Sequence, residues 1–222
     1  MTSATSGTSE AADGPGLPGR PGRPGRAAAA GAADSLPLAA RKLDWLFIGF
    51  FLINLLFITY IVDLEQLVIA DPTPGRFAYP LWPPAPLVDL VHWWGRSFDP
   101  VLMARPVWWR ATIWIDAIFF GPYYALALYA FIKGRRFIRL PSLLWAGVMM
   151  TNVTIILFEE MIGPHATPAP GLVLLVNAPW LIFPLLMLWR MGGRGEPFAR
   201  PPGAGAGGAG AGRAALPGEV AR

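Results

Sequence analysis

Four apolar segments, each about as long as the ~20 residues that a membrane-spanning helix requires, limit this chain to very few folds. They cover residues 43–61, 107–132, 140–161 and 171–189. Hydrophobic residues make up 54% of the chain, charged residues only 14%, and the mean hydropathy is +0.44. A soluble domain of this length does not need so much apolar surface. We therefore predict an all-α integral membrane protein, a four-helix bundle with a long first extramembrane loop.

The two ends of the chain differ in composition from the region between them. Residues 1–40 are dominated by Ala, Gly, Pro, Ser and Thr and include PGLPGRPGRPGR, and the other end contains GAGAGGAGAG. Such compositions bury too little apolar surface to fold on their own. We predict disordered tails at 1–40 and 192–222 around a four-helix domain at 41–191. No apolar stretch precedes Arg41, so we expect the first spanning helix to act as the insertion signal.

Positive residues predict the orientation in the membrane. They lie beside the chain ends and in the short second connection, whereas the third connection, residues 163–170, has no Lys or Arg. The residues are Arg41, Lys42, Lys133, Arg135, Arg136, Arg139, Arg190, Arg194 and Arg200. Because cytoplasmic loops carry the excess of Lys and Arg, we predict that both termini are cytoplasmic. The membrane would be the plasma membrane in a bacterium and the endoplasmic reticulum in a eukaryote.

Asp116 lies in the middle of the second apolar segment. An ionised carboxylate at that depth costs roughly 3 kcal/mol on insertion scales, and such residues usually face a cavity or a partner. In the predicted topology, other acidic residues end the first and third helices on the non-cytoplasmic side. They are Asp63, Glu65, Glu159 and Glu160. We therefore predict an acidic cavity in that half of the membrane.

Proline and polar residues lie at a similar depth. Gly121–Pro122 interrupts the second apolar segment, and Pro179 and Pro184 interrupt the fourth. Kinks of this kind open space between helices. The candidate wall residues are Tyr123, Thr151, Asn177 and Trp180. Each polar one could equally serve as an interhelical hydrogen bond, whereas the indole of Trp180 offers an aromatic face that can bind a cation.

The first connection, residues 70–106, is too long for a simple turn. Apolar side chains recur in it at helical spacing, at Leu87, Leu90, Val91 and Trp94. We predict a short interfacial helix there. Asp99 follows in an Asp-Pro turn, from which it is expected to reach back towards Asp63. Two carboxyl groups that meet in partial burial hold one proton between them, so such a pair would bind one cation.

Composition disfavours several classes of function. The chain has no Cys and two His, which leaves no convincing ligand set, so we predict no metal and no cofactor. The formal charge of +4 comes from residues beside the apolar segments, and topology explains them better than nucleic acid does. Four spans without an evident repeat do not favour a transporter. A structural role stays open, although Asp116 argues against it, and a homo-oligomer is compatible with the sequence.

Short motifs occur in a fixed order between residues 41 and 191. They are Arg41 with Asp44 and Trp45, VDL at 62–64, YP at 79–80, FDP at 98–100, PVWW at 106–109, Asp116 followed by FFGPYY, YAFIKG at 129–134 and NAPWLIFPLLML at 177–188. Together they resemble the EXPERA domain family of four-helix membrane proteins, most closely its sigma-2 receptor branch.

That resemblance implies a lipid-accessible pocket that binds sterols and cationic amphiphiles. Asp63 matches the carboxylate that pairs with a ligand amine, Asp99 a second carboxylate that supports it, and Asp116 an acidic position on the second helix. The sequence departs from the branch at Phe120, where Gln is typical, and at Val148, where His is common. We therefore predict binding of a sterol-like or cationic amphiphilic lipid, with small amphiphilic amines as further ligands.

The same family includes sterol double-bond isomerases, which give the alternative function. Asn177 and Trp180 match the Asn-x-x-Trp pattern of that branch, where the Trp stabilises a carbocation. General acid–base catalysis needs two placed groups, and neither His92 nor His165 lies within a predicted span. We therefore predict no catalytic residue, and keep as the alternative an isomerase that uses intramembrane carboxylates and Trp180.

Overall fold

The computed structural model describes residues 35–193 and 195–199. Within these residues the chain is helical, and an isolated antiparallel bridge joins Ser35 to Ala199. Most of the two predicted tails lies outside the described residues, so their disorder stays a prediction.

Six helices follow a short turn at Leu38–Ala40. They are α1 (Lys42–Val68), α2 (Ala85–Ser97), α3 (Pro100–Ala104), α4 (Val107–Lys133), α5 (Arg136–Ile162) and α6 (Pro170–Gly192). Helices α1, α4, α5 and α6 are long and apolar enough to cross a membrane. This confirms the predicted four-helix membrane fold, and α2 confirms the short helix expected in the first connection.

The spanning helices contain irregular segments. In α1 and α4 the chain is π-helical over Asn54–Asp63 and Asp116–Phe120, and α6 consists of Pro170–Asn177 and Pro179–Gly192 on either side of Ala178. Proline explains two of these irregularities, because Pro122 and Pro179 lack the N–H that would continue the helical hydrogen bonds. Helix α6 continues through Pro184. The π-helical segment of α1 contains no proline.

Aromatic rings fill the half of the bundle near the start of α1. Phe50 of α1 stacks on Phe183 of α6 with ring centroids 4.1 Å apart. Phe51 contacts Trp145 of α5 at 5.7 Å and Phe131 of α4 at 5.6 Å. Such pairs add to the dispersion contacts that replace the hydrophobic effect inside a membrane. All four spanning helices therefore pack closely in this half.

Asp44 joins several segments at the same end of the bundle. Its Oδ2 accepts a hydrogen bond from Arg41 at 2.5 Å, and its Oδ1 accepts one from Arg190 at 3.2 Å. Arg41 also donates to the carbonyl oxygen of Phe131 at 2.8 Å. Both guanidinium groups lie over the ring of Phe198, at 5.0 and 5.4 Å from its centroid. This network ties α1, α4 and α6 to the segment that follows α6.

Glu65 has the corresponding role near the other end of α1. Arg105 donates to both of its carboxylate oxygens at 2.9 and 2.7 Å, and Nε2 of His92 lies 2.7 Å from Oε1. Arg105 adopts a left-handed conformation with φ 48°, and it also donates to the carbonyl oxygens of Leu102 and Ile69. These contacts hold α2 and α3 against α1. They explain why α1 continues beyond the last predicted apolar residue.

Replacing Asp44 with alanine is expected to lower the free energy of unfolding by about 3 to 5 kcal/mol, because Arg41 and Arg190 lose their shared carboxylate. Unfolding in mixed detergent micelles, followed by circular dichroism, measures this loss. The matched control is Asp71→Ala, which removes an exposed ion pair with Arg76 at 3.5 Å. It should cost at most about 1 kcal/mol. Equal losses in the two variants would contradict the role of the network.

Candidate functional site

A cavity of about 340 Å³ lies among α1, α4, α5 and α6, and α2 covers one side of it. Most of the lining is apolar or aromatic. The lining side chains that are more than a third exposed are Phe57, Leu90, Trp93 and Val176. They belong to α1, α2 and α6, so the cavity opens between α1 and α6 beneath α2. A small-molecule site typically has this character, with a volume of about 300 to 1,000 Å³.

Two carboxyl groups meet on the wall formed by α1 and α4. The side chains of Asp63 and Asp116 are hydrogen-bonded to each other, and the hydroxyl of Thr59 donates to Oδ1 of Asp116 at 2.5 Å. Both aspartates are more than nine-tenths buried. A hydrogen bond between two carboxyl groups requires a proton on one of them. The pair therefore carries one negative charge in this arrangement.

The two π-helical segments bring these groups together. Asp63 is the last residue of one segment and Asp116 the first of the other. π-Helical turns are frequent at functional sites. A Cβ atom at Gly121 would lie 2.8 Å from Oη of Tyr60 and 3.0 Å from Cγ2 of Thr59. Glycine therefore permits the close approach of α1 and α4 that places Thr59 beside Asp116.

A second pair of carboxyl groups lies on the side of the cavity formed by α5 and the turn before α3. Asp99 is close enough to Glu160 for their charges to repel. Burial raises the pKa of Asp99 to about 6, although the nearby Leu102 N–H and Trp94 side chain act to lower it. Its Oδ1 atom is buried and has no hydrogen-bond partner. Asn177 donates to Oε2 of Glu160 at 3.3 Å.

Trp180 of α6 lines the cavity and is held in place by α1. Its Nε1–H donates to Oδ1 of Asn54 at 2.8 Å, and the amide of Asn54 donates to the carbonyl oxygen of Phe50 at 2.8 Å. Asn54 is 1% exposed. The two hydrogen bonds fix the indole on α6 against α1. A fixed indole beside acidic groups can contribute a cation–π contact to a ligand.

The cavity has an unbalanced charge. Among the described residues, no Lys, Arg or His lines it, and four acidic residues do: Asp63, Asp99, Asp116 and Glu160. The other buried carboxylates of the described chain, Asp44 and Glu65, each contact arginine. A buried carboxylate without a basic partner is costly unless it is protonated or meets a cation. The acidic lining can therefore compensate the charge of a cationic ligand.

Five of the seven predicted site residues line this cavity. They are Asp63, Asp99, Asp116, Asn177 and Trp180. Tyr123 lies in the aromatic half, where its hydroxyl donates to Ser142 at 2.9 Å. Thr151 is exposed and donates to the carbonyl oxygen of Gly147 at 3.0 Å. The structure brings neither of these two side chains to the cavity.

Several lining residues are absent from the predicted site. Glu160 is predicted only to lie in the same half of the membrane. Asn152 is not among the predicted wall residues. Gln66, which accepts from Nε1 of Trp109 at 2.5 Å, is not among them either. Its position three residues after Asp63, near one turn along a helix, is the signal that could have identified it. Within the described residues, no group of three or more His, Asp or Glu side chains could hold a metal ion.

Comparison with known proteins places the chain in a family. Residues 86–191 match the model of the EXPERA (EXPanded EBP superfamily) family. The chain is 31% identical over 163 residues to sigma intracellular receptor 2 of Xenopus tropicalis, covering 68% of this chain and 89% of that protein. It is 26% identical over 166 residues to the Homo sapiens protein of that name, covering 68% and 88%. The chain is therefore an integral membrane protein that belongs to the EXPERA family.

Proposed function

We propose that this protein binds a sterol-like or cationic amphiphilic lipid in the acidic cavity. The observation that carries the proposal is the charge of the lining, where carboxyl groups are buried without a basic partner. A ligand amine would provide the missing positive charge. The apolar and aromatic remainder of the lining would bury the hydrocarbon part of the same molecule. The relatives named as receptors agree with a ligand-binding role.

The position of the opening supports entry from the membrane. Phe57 and Val176 lie on spanning helices and are 37% and 41% exposed. A ligand that is dissolved in the bilayer could pass between α1 and α6 without crossing water. In the cavity, its amine would approach the Asp63–Asp116 pair, and Trp180 would contact the amine or the adjacent carbon atoms. Small amphiphilic amines would bind by the same contacts.

We also propose an orientation of the chain in the membrane. Both ends of the described domain lie on one side of the bundle, where the Leu36 N–H donates to the carbonyl oxygen of Phe198 at 2.8 Å. Most of the Lys and Arg residues beside the spans are at this end. The positive-inside rule then assigns both termini to the cytoplasm. The cavity would lie in the opposite half of the plasma membrane of a bacterium or of the endoplasmic reticulum of a eukaryote.

Asp63→Asn is expected to weaken binding of a cationic amphiphile by at least about 30-fold, because it removes one side of a buried charge pair. Saturable binding of a quaternary alkylammonium probe to purified protein in nanodiscs measures the effect. Asp89→Asn is the control, since Asp89 is exposed and does not line the cavity. Unchanged affinity in Asp63→Asn would exclude Asp63 as the counter-ion.

Affinity for the same permanently charged probe is expected to rise with pH through about 6 and to level off above it. The reason is that Asp99, whose pKa burial raises to about 6, is neutral below this pH and ionised above it. The rise should be roughly tenfold, and Asp99→Asn should remove this component. Titrations between about pH 4.5 and 8 measure it. Identical pH profiles for the two proteins would show that Asp99 does not act on the ligand.

A sterol double-bond isomerase is the second candidate, favoured by one observation. Asn177 and Trp180 share the cavity wall with Glu160, which is hydrogen-bonded to Asn177. Protonation of one carbon atom and removal of a proton from another would then fall to the carboxyl groups. Both histidines lie outside the cavity lining, against Glu65 and Glu159.

Incubation of the purified protein with an 8-ene sterol tests this candidate. Double-bond migration, detected by chromatography with mass spectrometry, is the expected result for an isomerase, and it should be lost in Glu160→Gln. A product yield equal to that of heat-inactivated protein would eliminate the isomerase and leave ligand binding.

A further inference from the structure

The four carboxyl groups of the cavity form two separate pairs on different elements. Asp63 and Asp116 are hydrogen-bonded between α1 and α4. Asp99, in the turn before α3, acts electrostatically on Glu160 at the end of α5. The sequence suggested instead that Asp99 reaches Asp63 to make a single cation site. Two pairs imply two places where a positive group can be compensated.

The Asp99–Glu160 pair has an unused acceptor. Oδ1 of Asp99 is buried and has no hydrogen-bond partner, and the residue, which lines the cavity, is 6% exposed. A buried acceptor without a hydrogen bond destabilises the fold, and most buried polar atoms in proteins have a partner. The free acceptor of Asp99 is therefore a place where a ligand donor would be stabilising. Glu160 is 1% exposed, and the side-chain donor to it is Asn177. An ammonium group beside Asp99 would supply the missing donor.

Thr167 fixes the position of the second pair. Its N–H donates to the carbonyl oxygen of Glu160 at 2.7 Å, and its hydroxyl donates to the carbonyl oxygen of Phe98 at 2.5 Å. One residue of the α5–α6 connection therefore holds the backbone on both sides of the pair. A fixed pair is pre-organised for a ligand, because no ordering of the loop is required when the ligand binds.

The negative charge of the cavity indicates how many positive groups a ligand needs in order to compensate it. Repulsion within each pair of neighbouring carboxyl groups favours one proton and one negative charge per pair. The described lining contains no basic residue. The buried carboxylates outside the cavity are each compensated by arginine. A ligand with one positive charge would compensate one pair and leave the other unpaired.

We propose that the cavity selects amphiphiles with two amine groups, one bound at Asp63–Asp116 and the other at Asp99–Glu160. This inference rests on the proposed ligand-binding function and names its ligand class. Trp180 offers an aromatic contact to the amine at Asp63–Asp116, and Trp94, which lies beside Asp99, offers one to the amine at Asp99–Glu160. The hydrocarbon chain lies in the opening between α1 and α6.

The test compares two matched series of probes in nanodiscs of neutral lipid. One series consists of N-dodecyl diaminoalkanes with spacers of three to eight methylenes. In the other, a methyl group replaces the terminal amine. Affinities are measured by displacement of the quaternary alkylammonium probe, and empty nanodiscs correct for partitioning. The measured quantity is the ratio of diamine to monoamine affinity at each spacer length.

At one or two spacer lengths the ratio is expected to be at least about tenfold in the wild-type protein, the size of effect that a buried charge pair produces. It should fall to about twofold or less in Asp99→Asn, because Asp99 carries both the charge of the second pair and its unpartnered acceptor. Glu159→Gln is the matched control, because Glu159, adjacent to Glu160, contacts His165 and does not line the cavity. This control should keep the full ratio.

A ratio near one at every spacer length in the wild-type protein would overturn the proposal, as would a full ratio in Asp99→Asn. If Asp99→Asn does not fold, Asp99→Ser replaces it with the same expected loss and the same refuting outcome. Saturable monoamine binding in the wild-type protein distinguishes a failure of the second subsite from a failure of the proposed binding function. If it persists without a diamine advantage, the second subsite fails and the proposed binding function stands.

Discussion

A carboxylate that is removed from water must be compensated, and the contacts that compensate Asp44 and Glu65 organise the whole fold. Each of these residues is buried on α1 and accepts hydrogen bonds from arginine on another segment. Arginine suits this role because its planar guanidinium makes several hydrogen bonds at once. The partners are Arg41 directly before α1, Arg190 near the end of α6, and Arg105 in the α3–α4 connection. The two ends of the bundle are therefore fixed by charge, while the middle packs by aromatic contacts.

This division leaves room for a cavity. In the half near Asp44, rings on α1 and α6 stack directly, as Phe50 and Phe183 do. The hydrogen bond from Trp180 to Asn54 joins the same two helices at a point that precedes Phe183 in α6. Just before Trp180, at Ala178, α6 is interrupted. α1 is π-helical over the same region. Because neither helix continues as a regular cylinder, their side chains do not close the space between them.

The sequence predicted the four spans and the acidic half of the membrane, since both depend only on hydropathy, helix rise and the distribution of Lys and Arg. It could not predict which face of each helix points inwards. Lipid on the outside is as apolar as the interior, so the usual periodicity is weak. Tyr123 and Thr151 illustrate this, because their depth is suitable and their faces are turned elsewhere. The pairing of Asp63 with Asp116 depends on π-helical turns, one of which has no proline to indicate it.

Arginine compensates Asp44 and Glu65 but not the carboxyl groups of the cavity. This difference bears on which ligands the cavity would distinguish. Neutral and cationic amphiphiles that enter from the bilayer make the same packing contacts through their apolar parts. A cation gains in addition from compensating the negative charge of a carboxyl pair and from supplying a donor to Oδ1 of Asp99. A neutral sterol can offer its hydroxyl to that atom and leaves the charge as it was. The bundle can carry this unfavourable charge because Asp44 and Glu65 hold its ends independently of the cavity. In the proposed function, the lining would therefore distinguish ligands by charge more strongly than by shape.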